Sequence, residues 1–426
     1  MSKTVDKQSD VMAEMVKAAR KGRALMGGTD AMRKAGKLYL PKFGAESDED
    51  YQARLHSSFL FNGLRKTVKD MTGRVFAKPV EIVEASDRIK EMAMDINMQG
   101  QDLSAFAADV FRDAFIPGIS SIMVDAPRRD GETTREQAIS QGLRPYMAKL
   151  RVEDILGFQT QMFNNVLALS MLRIMETVTE NDPEDEFSQL NIPQVRVITR
   201  ADGVVFVRIY RKNSRQDWQV VDEYTTNAEE ITVIPFYAQR TGFFTAEPVL
   251  EDLADVNIAH FQSQSDQRHI LHFARVPILF ASGRGDDEPL VISASQAVTS
   301  LDPAGTLQWV EHSGAAINAG RQDLQDLAQQ MQALGMQLLV SSHETATGAM
   351  LDSTKETSTL SMMADNLKDT LEQALKYMAF YAGEPEQNIT VDVNKDFGII
   401  PLTAQEVQVM QNDVQLGLLS KTAYYA

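Results

Sequence analysis

At 426 residues the chain exceeds the usual single-domain size, so two or more structural units are expected. Its 43% hydrophobic and 24% charged content excludes a wholly disordered chain, no apolar run is long enough to cross a membrane, and zero cysteines exclude disulfides and thiolate chemistry. The formal net charge is −17 with no basic stripe standing out, which argues against a tight, charge-driven grip on nucleic acid.

The start, MSKTVDKQSD, is polar and predicts no signal peptide. A helix rich in Met, Ala and Lys follows, broken at Gly27-Gly28, and KLYLPKF then reads as extended. From Asp48, a plausible N-cap, the spacing of Tyr51, Leu55, Phe59 and Asn62 predicts one helix that continues through Val68 and Met71 to about Gly73. RVFAKPVEIV reads as extended. Leu103, Phe106, Val110 and Ala114 share a face and predict a helix over 102–114, stopped by Pro117-Gly118. SSIMVD is a short buried strand, RRDGETTREQ a surface loop, and Arg144-Pro145-Tyr146 begins another extended piece.

Between Val166 and Tyr237 the period switches to two. LALSMLRIMETV, QVRVITR, VVFVRIYRK, WQVVDEY and ITVIPFY predict an antiparallel meander, with its best hairpin at Asp202-Gly203. The first part of the chain is therefore α+β.

A run free of Gly and Pro from Val249 to Ala274, with Leu253, Val256, His260 and Phe261 as its seam, predicts a helix of roughly 25 residues and roughly 40 Å. Turn signals SGRGDDEP and DPAG then flank LVISASQAV and TLQWVEH. A second long helix is expected from about Ala319, where Leu324, Leu327, Met331, Leu334 and Leu338 repeat at coiled-coil-like spacing. That seam fits ordinary core packing or packing against another copy. Ser341–Ser358 is polar and Thr-rich and reads as a loop. A third helix over about 360–381 carries Met363, Leu367, Leu371, Ala374 and Met378 on one face; NITVDVN alternates like a strand, and the last 26 residues read as helix with a break at Gly417.

Several short runs occur together in a fixed order: Tyr39-Leu40-Pro41; Tyr51, Arg54, Leu55 and Asn62; Val75-Phe76 with Lys78-Pro79; Met123 to Pro127; Arg144-Pro145-Tyr146. Then come Asp252-Leu253-Ala254, Asn257 and Ser265-Asp266, with Leu334-Gly335, Glu356-Thr357-Ser358 and Asn394 to Phe397 after them. In this ordered set the chain resembles the portal proteins of tailed bacteriophages, the head-to-tail connectors. The resemblance implies an α+β portal fold: an α/β wing over 1–245, a first stem helix over 246–275, a small strand-containing clip over 276–318 and a second stem helix over 319–340. A channel loop over 341–358, a long helix and return to the wing over 359–400, and a short or absent crown over 401–426 would complete it.

It further implies a non-enzymatic ring of about twelve copies at one capsid vertex, in the virion, assembled in the host cytoplasm. Double-stranded DNA would pass without sequence-specific contact. The terminase large subunit and then a head-tail adaptor would dock on the clip, the major capsid protein would surround the ring, and no membrane or cofactor is involved. Candidate DNA-channel residues are Arg268, Arg275, Arg321, His343, Thr345, Thr347 and Lys355; candidate clip-docking residues are Arg284, Asp286, Asp287 and Trp309. Five acidic residues near the first stem helix (Glu247, Glu251, Asp252, Asp255, Asp266) against Arg268 and Arg275 predict an acidic lumen that keeps a duplex mobile. No P-loop, H-E-x-x-H or G-x-S-x-G run occurs, and His269 and His272, one turn apart, lack an evident third metal ligand. The alternative is a monomeric or dimeric helical binding protein without enzymatic activity.

Overall fold

The computed structural model describes residues 4–127, 143–183, 185–275, 278–282, 304, 306–310, 315–337, 358–384, 388–395 and 397. The chain begins with α1 (Asp10–Gly27), α2 (Thr29–Ala35), α3 (Asp48–Ser57) and α4 (Gly63–Val75). After β1 (Glu81–Glu84), α5 (Asp87–Met92) and α6 (Leu103–Ala114) come β2 (Ile119–Asp125), β3 (Tyr146–Leu150), β4 (Ile155–Phe163), β5 (Val166–Asn181), β6 (Gln189–Ala201), β7 (Val204–Lys212), β8 (Trp218–Thr226), β9 (Val233–Tyr237), β10 (Arg240–Gly242) and β11 (Thr245–Ala246). The rest is α7 (Glu251–Ala274), β12 (Ile278–Ser282), β13 (Thr306–Val310), α8 (Ala315–Met336), α9 (Thr359–Ala382) and β14 (Thr390–Asp392). The fold is mixed α and β, as the periodicities imply.

The single helix expected over 48–73 is two. Ser47, not Asp48, caps α3, its Oγ accepting the Asp50 N–H at 3.0 Å. The helix stops because Ser58 turns extended and Arg33 takes its carbonyl at 2.7 and 3.1 Å. Asn62 then caps α4, accepting the Arg65 N–H at 2.9 Å. Capping groups here outcompete continuation of the helix, and Phe59 is left 41% exposed. KLYLPKF likewise starts in a 3-10 turn, Gly36–Leu38, and Arg74-Val75 end α4 rather than begin a strand.

β4 to β8 form a five-stranded antiparallel meander in chain order. Its Asp202-Gly203 turn has both φ angles positive (50° and 75°), the geometry that matches strand twist. β9, expected to end this meander, leaves it. It pairs with β2 from Ile119↔Tyr237 to Met123↔Val233, completing a separate sheet of order β3-β2-β9. β2 is buried on both faces, so its partners must satisfy both its edges.

The main core lies between this small sheet and the helices. α9 is its centre: eleven of its residues are buried, including all five of the predicted face. Ser358 caps its start and Gly383, in the left-handed conformation, ends it. A second cluster joins Met12 and Met15 of α1 to the meander. β14 pairs with β1, Ile82 opposite Val391, so residues 390–392 close on the N-terminal part of the chain.

The insert contributes β12 and β13, paired from Ile278↔Val310 to Ser282↔Thr306. TLQWVEH supplies β13 as expected; β12 was not expected, and LVISASQAV lies outside the described residues. α8 starts at Ala315, four residues before the expected Ala319. Ser341–Thr357, the expected surface loop RRDGETTREQ and residues 401–426 also lie outside them.

Gly118 follows α6 with φ +83°, and a Cβ there would lie 1.9 Å from the Glu247 carbonyl oxygen. Backbone on backbone cannot be relieved by a rotamer change. Gly118→Ala is therefore expected to destabilise the fold by about 3 kcal/mol or more, read by chemical denaturation.

Candidate functional site at the root of the helical hairpin

α7 and α8 form an antiparallel hairpin whose root is set into the helical layer. Leu253, Ala254 and Phe261 of α7 are buried in the main core, and Val256 is half-buried. Two glycines let α8 approach closely: a Cβ at Gly320 would lie 2.1 Å from Gln267 Oε1 of α7, and one at Gly335 would lie 2.8 Å from Thr67 of α4. Gln267 donates to the Ile317 carbonyl at 2.8 Å and Ser263 donates to Asp323, tying the two helices. Of the expected α8 seam, Met331 is buried while Leu324, Leu327 and Leu334 remain partly exposed. Leu338 lies outside the described residues.

The contacts that hold the root are polar. Asn257 is fully buried; its Oδ1 accepts the Leu64 N–H at 3.0 Å and its Nδ2 donates to the Phe61 carbonyl at 2.8 Å. Asn62 donates to the Leu25 carbonyl at 2.6 Å. Arg54, 3% exposed, pairs through Nε and Nη2 with both oxygens of Glu46 at 2.7 and 2.9 Å and donates to the Pro41 carbonyl at 2.7 Å. Its Nη1 reaches Ser265 Oγ at 3.5 Å and Asp266 at 3.6 Å on α7, and Phe43 covers its face at 4.1 Å. The Arg54 hydrogen bonds hold the Glu46 carboxyl below the usual glutamate range, whereas burial pushes Asp266 up. Burial also pushes His260 down, and its ring lies against Phe61, 5.2 Å between centroids.

Arg54 therefore meets Ser265 and Asp266, and the backbone of Phe61 and Leu64 meets Asn257, although about 200 residues of chain separate the two groups. Glu46 and Lys21 carried no expectation. The available signal was Arg54 itself, a charge one turn from Tyr51 and beside Leu55 on an otherwise apolar face, which demands a buried acid.

The charge count along α7 needs correction. Lys21 of α1 binds Glu251 and Asp255 at 2.9 and 2.6 Å, Arg54 faces Asp266, and Glu247 accepts from Gln239. Three of the five acids therefore have a cation from the same chain. Arg268 is exposed, its guanidinium 5.2 Å over the Phe59 ring. Arg321 is exposed on α8, one residue from Gly320 and so at the level of Arg268; Arg275 is exposed just past the end of α7. The hairpin thus carries all three arginines. His343, Thr345, Thr347, Lys355, Arg284, Asp286 and Asp287 lie outside the described residues. Trp309 stands opposite Leu279 in the β12–β13 ladder, its side chain outside them. Among the described residues no His, Asp and Glu group could hold a metal, and His269 faces the Phe43 ring at 6.4 Å.

The family model described as "Domain of unknown function (DUF4055)" matches residues 249–382, from the root of α7 to the end of α9. No curated protein matches. Among solved structures, the chain is similar to one in the neck of an empty GTA particle computed with C6 symmetry, at 10% identity and TM-score 0.41, covering 84% of this chain and 87% of that one. A chain in the virion of a native gene transfer agent particle gives 10%, 0.41, 91% and 95%. One in the neck of the native particle computed with C12 symmetry gives 10%, 0.41, 91% and 96%.

Arg54→Met strands Glu46 in a buried site and is expected to cost about 3–5 kcal/mol in denaturant unfolding, whereas Arg54→Met with Glu46→Leu recovers most of that loss. Glu46 also has a pH signature. Its folded-state pKa is lowered, so the stability it contributes is present above the ordinary glutamate range and lost as pH falls through the lowered value. Glu46→Gln should flatten that acid limb; an unchanged limb in stability against pH would show the pair is not formed.

Proposed function

We propose that the chain is a portal subunit, one of about twelve copies that ring a channel at a single vertex of a phage-type capsid. The observation that carries this reading is the convergence at the hairpin root. Residues of the portal-like set from two distant stretches meet there: Arg54 reaches Ser265 and Asp266, and Asn257 bonds the backbone of Phe61 and Leu64 on either side of Asn62. The element order supports it too: an α+β body, a long helix, a two-stranded insert, a returning helix, and then a helix buried back in the body.

On this reading α7 and α8 are the stem, β12–β13 belong to the clip, and α9 returns the chain to the wing. The joint fixes the stem to the wing, and double-stranded DNA passes through the ring as cargo. The chain does no chemistry itself; ATP hydrolysis belongs to the terminase large subunit, which docks on the clip and is later replaced by a head-tail adaptor. The ring resides in the virion, seated in the major capsid protein. Exposed Arg268, Arg275 and Arg321 on the hairpin offer transient phosphate contacts to a passing duplex.

Light scattering and negative-stain imaging of the purified chain test the reading. Discrete rings with a central hole are expected, and a stable monomer at high concentration would sink it. Deleting 276–314 is expected to leave the body folded by circular dichroism and to abolish terminase binding; unchanged binding removes the clip assignment.

A further inference from the structure

Residues 4–9, ahead of α1, wrap around the outer edge of the meander. β4 is an edge strand; its Ile155 carbonyl accepts from Gln8 Nε2 at 3.3 Å and its Leu156 carbonyl accepts the Ser9 N–H at 2.7 Å. Beyond that crossing, residues 4–7 close a turn in which the Lys7 N–H donates to the Thr4 carbonyl at 3.1 Å. The turn aims its carbonyls at one side chain: Arg173 Nη1 of β5 donates to Thr4, Val5 and Lys7 at 3.2, 2.8 and 2.9 Å. Arg173 stands opposite Gly157 of β4, where a Cβ would lie 2.7 Å from its Nη2 and 3.3 Å from Ser9 Oγ. The glycine leaves the space that both need. Val5, the one buried side chain of residues 4–9, sits in a small cluster with Leu156, Val195, Val197 and Trp218.

This cluster is separate from the meander's main packing. Arg173 lies opposite Val197, and Met175 opposite Val195, on this face. Leu172, Ile174 and Ile198 alternate with them and point the other way, into the core shared with α1 and the small sheet. Arg173 is also held differently from Arg54. Among the described residues it forms no ion pair, and the three carbonyls on its Nη1 all belong to the turn. If the turn leaves, water takes its place at the guanidinium and no buried charge is stranded. One buried valine and a few hydrogen bonds stand against the backbone entropy of ordering residues 4–9, a near balance that permits local opening. The face left behind is an apolar hollow, with Tyr210 and Met171 half-buried at its side, next to a guanidinium with open donors. Such a hollow accepts an apolar side chain while the donors fix the backbone that carries it.

We propose that residues 4–9 are a removable plug and that the meander face beneath them is a peptide-binding site. Its ligand is a short turn-forming segment with a branched apolar side chain at the second position of the turn, its carbonyls received by Arg173. Residues 4–9 are the resident ligand. A tethered occupant holds a site against a free competitor through its high effective concentration, so the site stays closed until the plug is withdrawn. The site is complete within one copy and stands or falls apart from the portal reading.

Trp218, 6% exposed and in the same cluster as Val5, reports on the site, and Trp309→Phe removes the only other tryptophan. In the full chain with that change, Val5→Asp should shift the Trp218 emission to the red with circular dichroism unchanged. A synthetic peptide of residues 1–10 should then restore the emission saturably, and the same peptide carrying Val5→Asp should not. Arg173→Gln added to the Val5→Asp chain should weaken peptide binding about tenfold or more, through loss of the charged donor. The unaltered chain, with its plug in place, should bind the labelled peptide about tenfold or more weakly than the Val5→Asp chain in fluorescence anisotropy. Amide hydrogen exchange on the unaltered chain needs no variant: residues 5–9 should exchange about tenfold or more faster than the middle of α1. Emission that does not move with Val5→Asp, or moves and is not restored by the peptide, overturns the binding site. Protection of residues 5–9 equal to that of α1 overturns the removable plug.

Discussion

One buried guanidinium sets the geometry of the molecule. Arg54 stands on α3, spends its fork on Glu46 and the Pro41 carbonyl, and reaches α7 with its remaining nitrogen. An arginine removed from water is tolerable only where its donors are met and a charge opposes it. Meeting them fixes three pieces of chain at once: the loop after α2, α3 itself and the middle of α7. Asn257 repeats the device two to three turns earlier by bonding the backbone on both sides of the start of α4. Apolar packing could hold α7 in several registers. Directed polar groups, each costly if left unmet, admit one.

Rigidity at the root has a consequence for the rest of the hairpin. α8 is located by α7 through Gln267 and by α4 through the contact at Gly335, so both helices leave the body in a defined direction. α9 then returns into the same core as α4, α6 and the small sheet, so the chain enters and leaves the hairpin through one packed body. A force applied at the far end is therefore delivered to the buried joint and to α9, where contacts are densest, rather than to a flexible linker.

Periodicity made the regular elements legible: α6, α9, the meander strands and the Asp202-Gly203 turn all follow from patterns local to a few residues. The misses share one cause, competition settled by groups distant in sequence. Helicity over 48–73 is broken by Arg33 and Asn62; β9 is drawn from the meander by an unpaired edge of β2; the first turn of α8 is met by Gln267, which bonds the Ile317 carbonyl. At the joint, Arg54 is legible as a charge on an apolar face, but nothing local to it or to Asn257 says which acid or carbonyl will meet them. The charge count along α7 was incomplete for the same reason: it left out Lys21, on α1.

Charge is also unevenly placed, and a total hides that. The helical first fifth of the chain is basic while the remainder carries more than the whole net negative charge. Within one molecule such segregation brings little, since surfaces farther apart than about 8–10 Å are screened at physiological salt. Between molecules it orients approach, because like patches repel and opposite patches attract as two copies meet. The net positive helical layer and the net negative remainder therefore favour contacts between unlike parts of two copies over contacts between like parts.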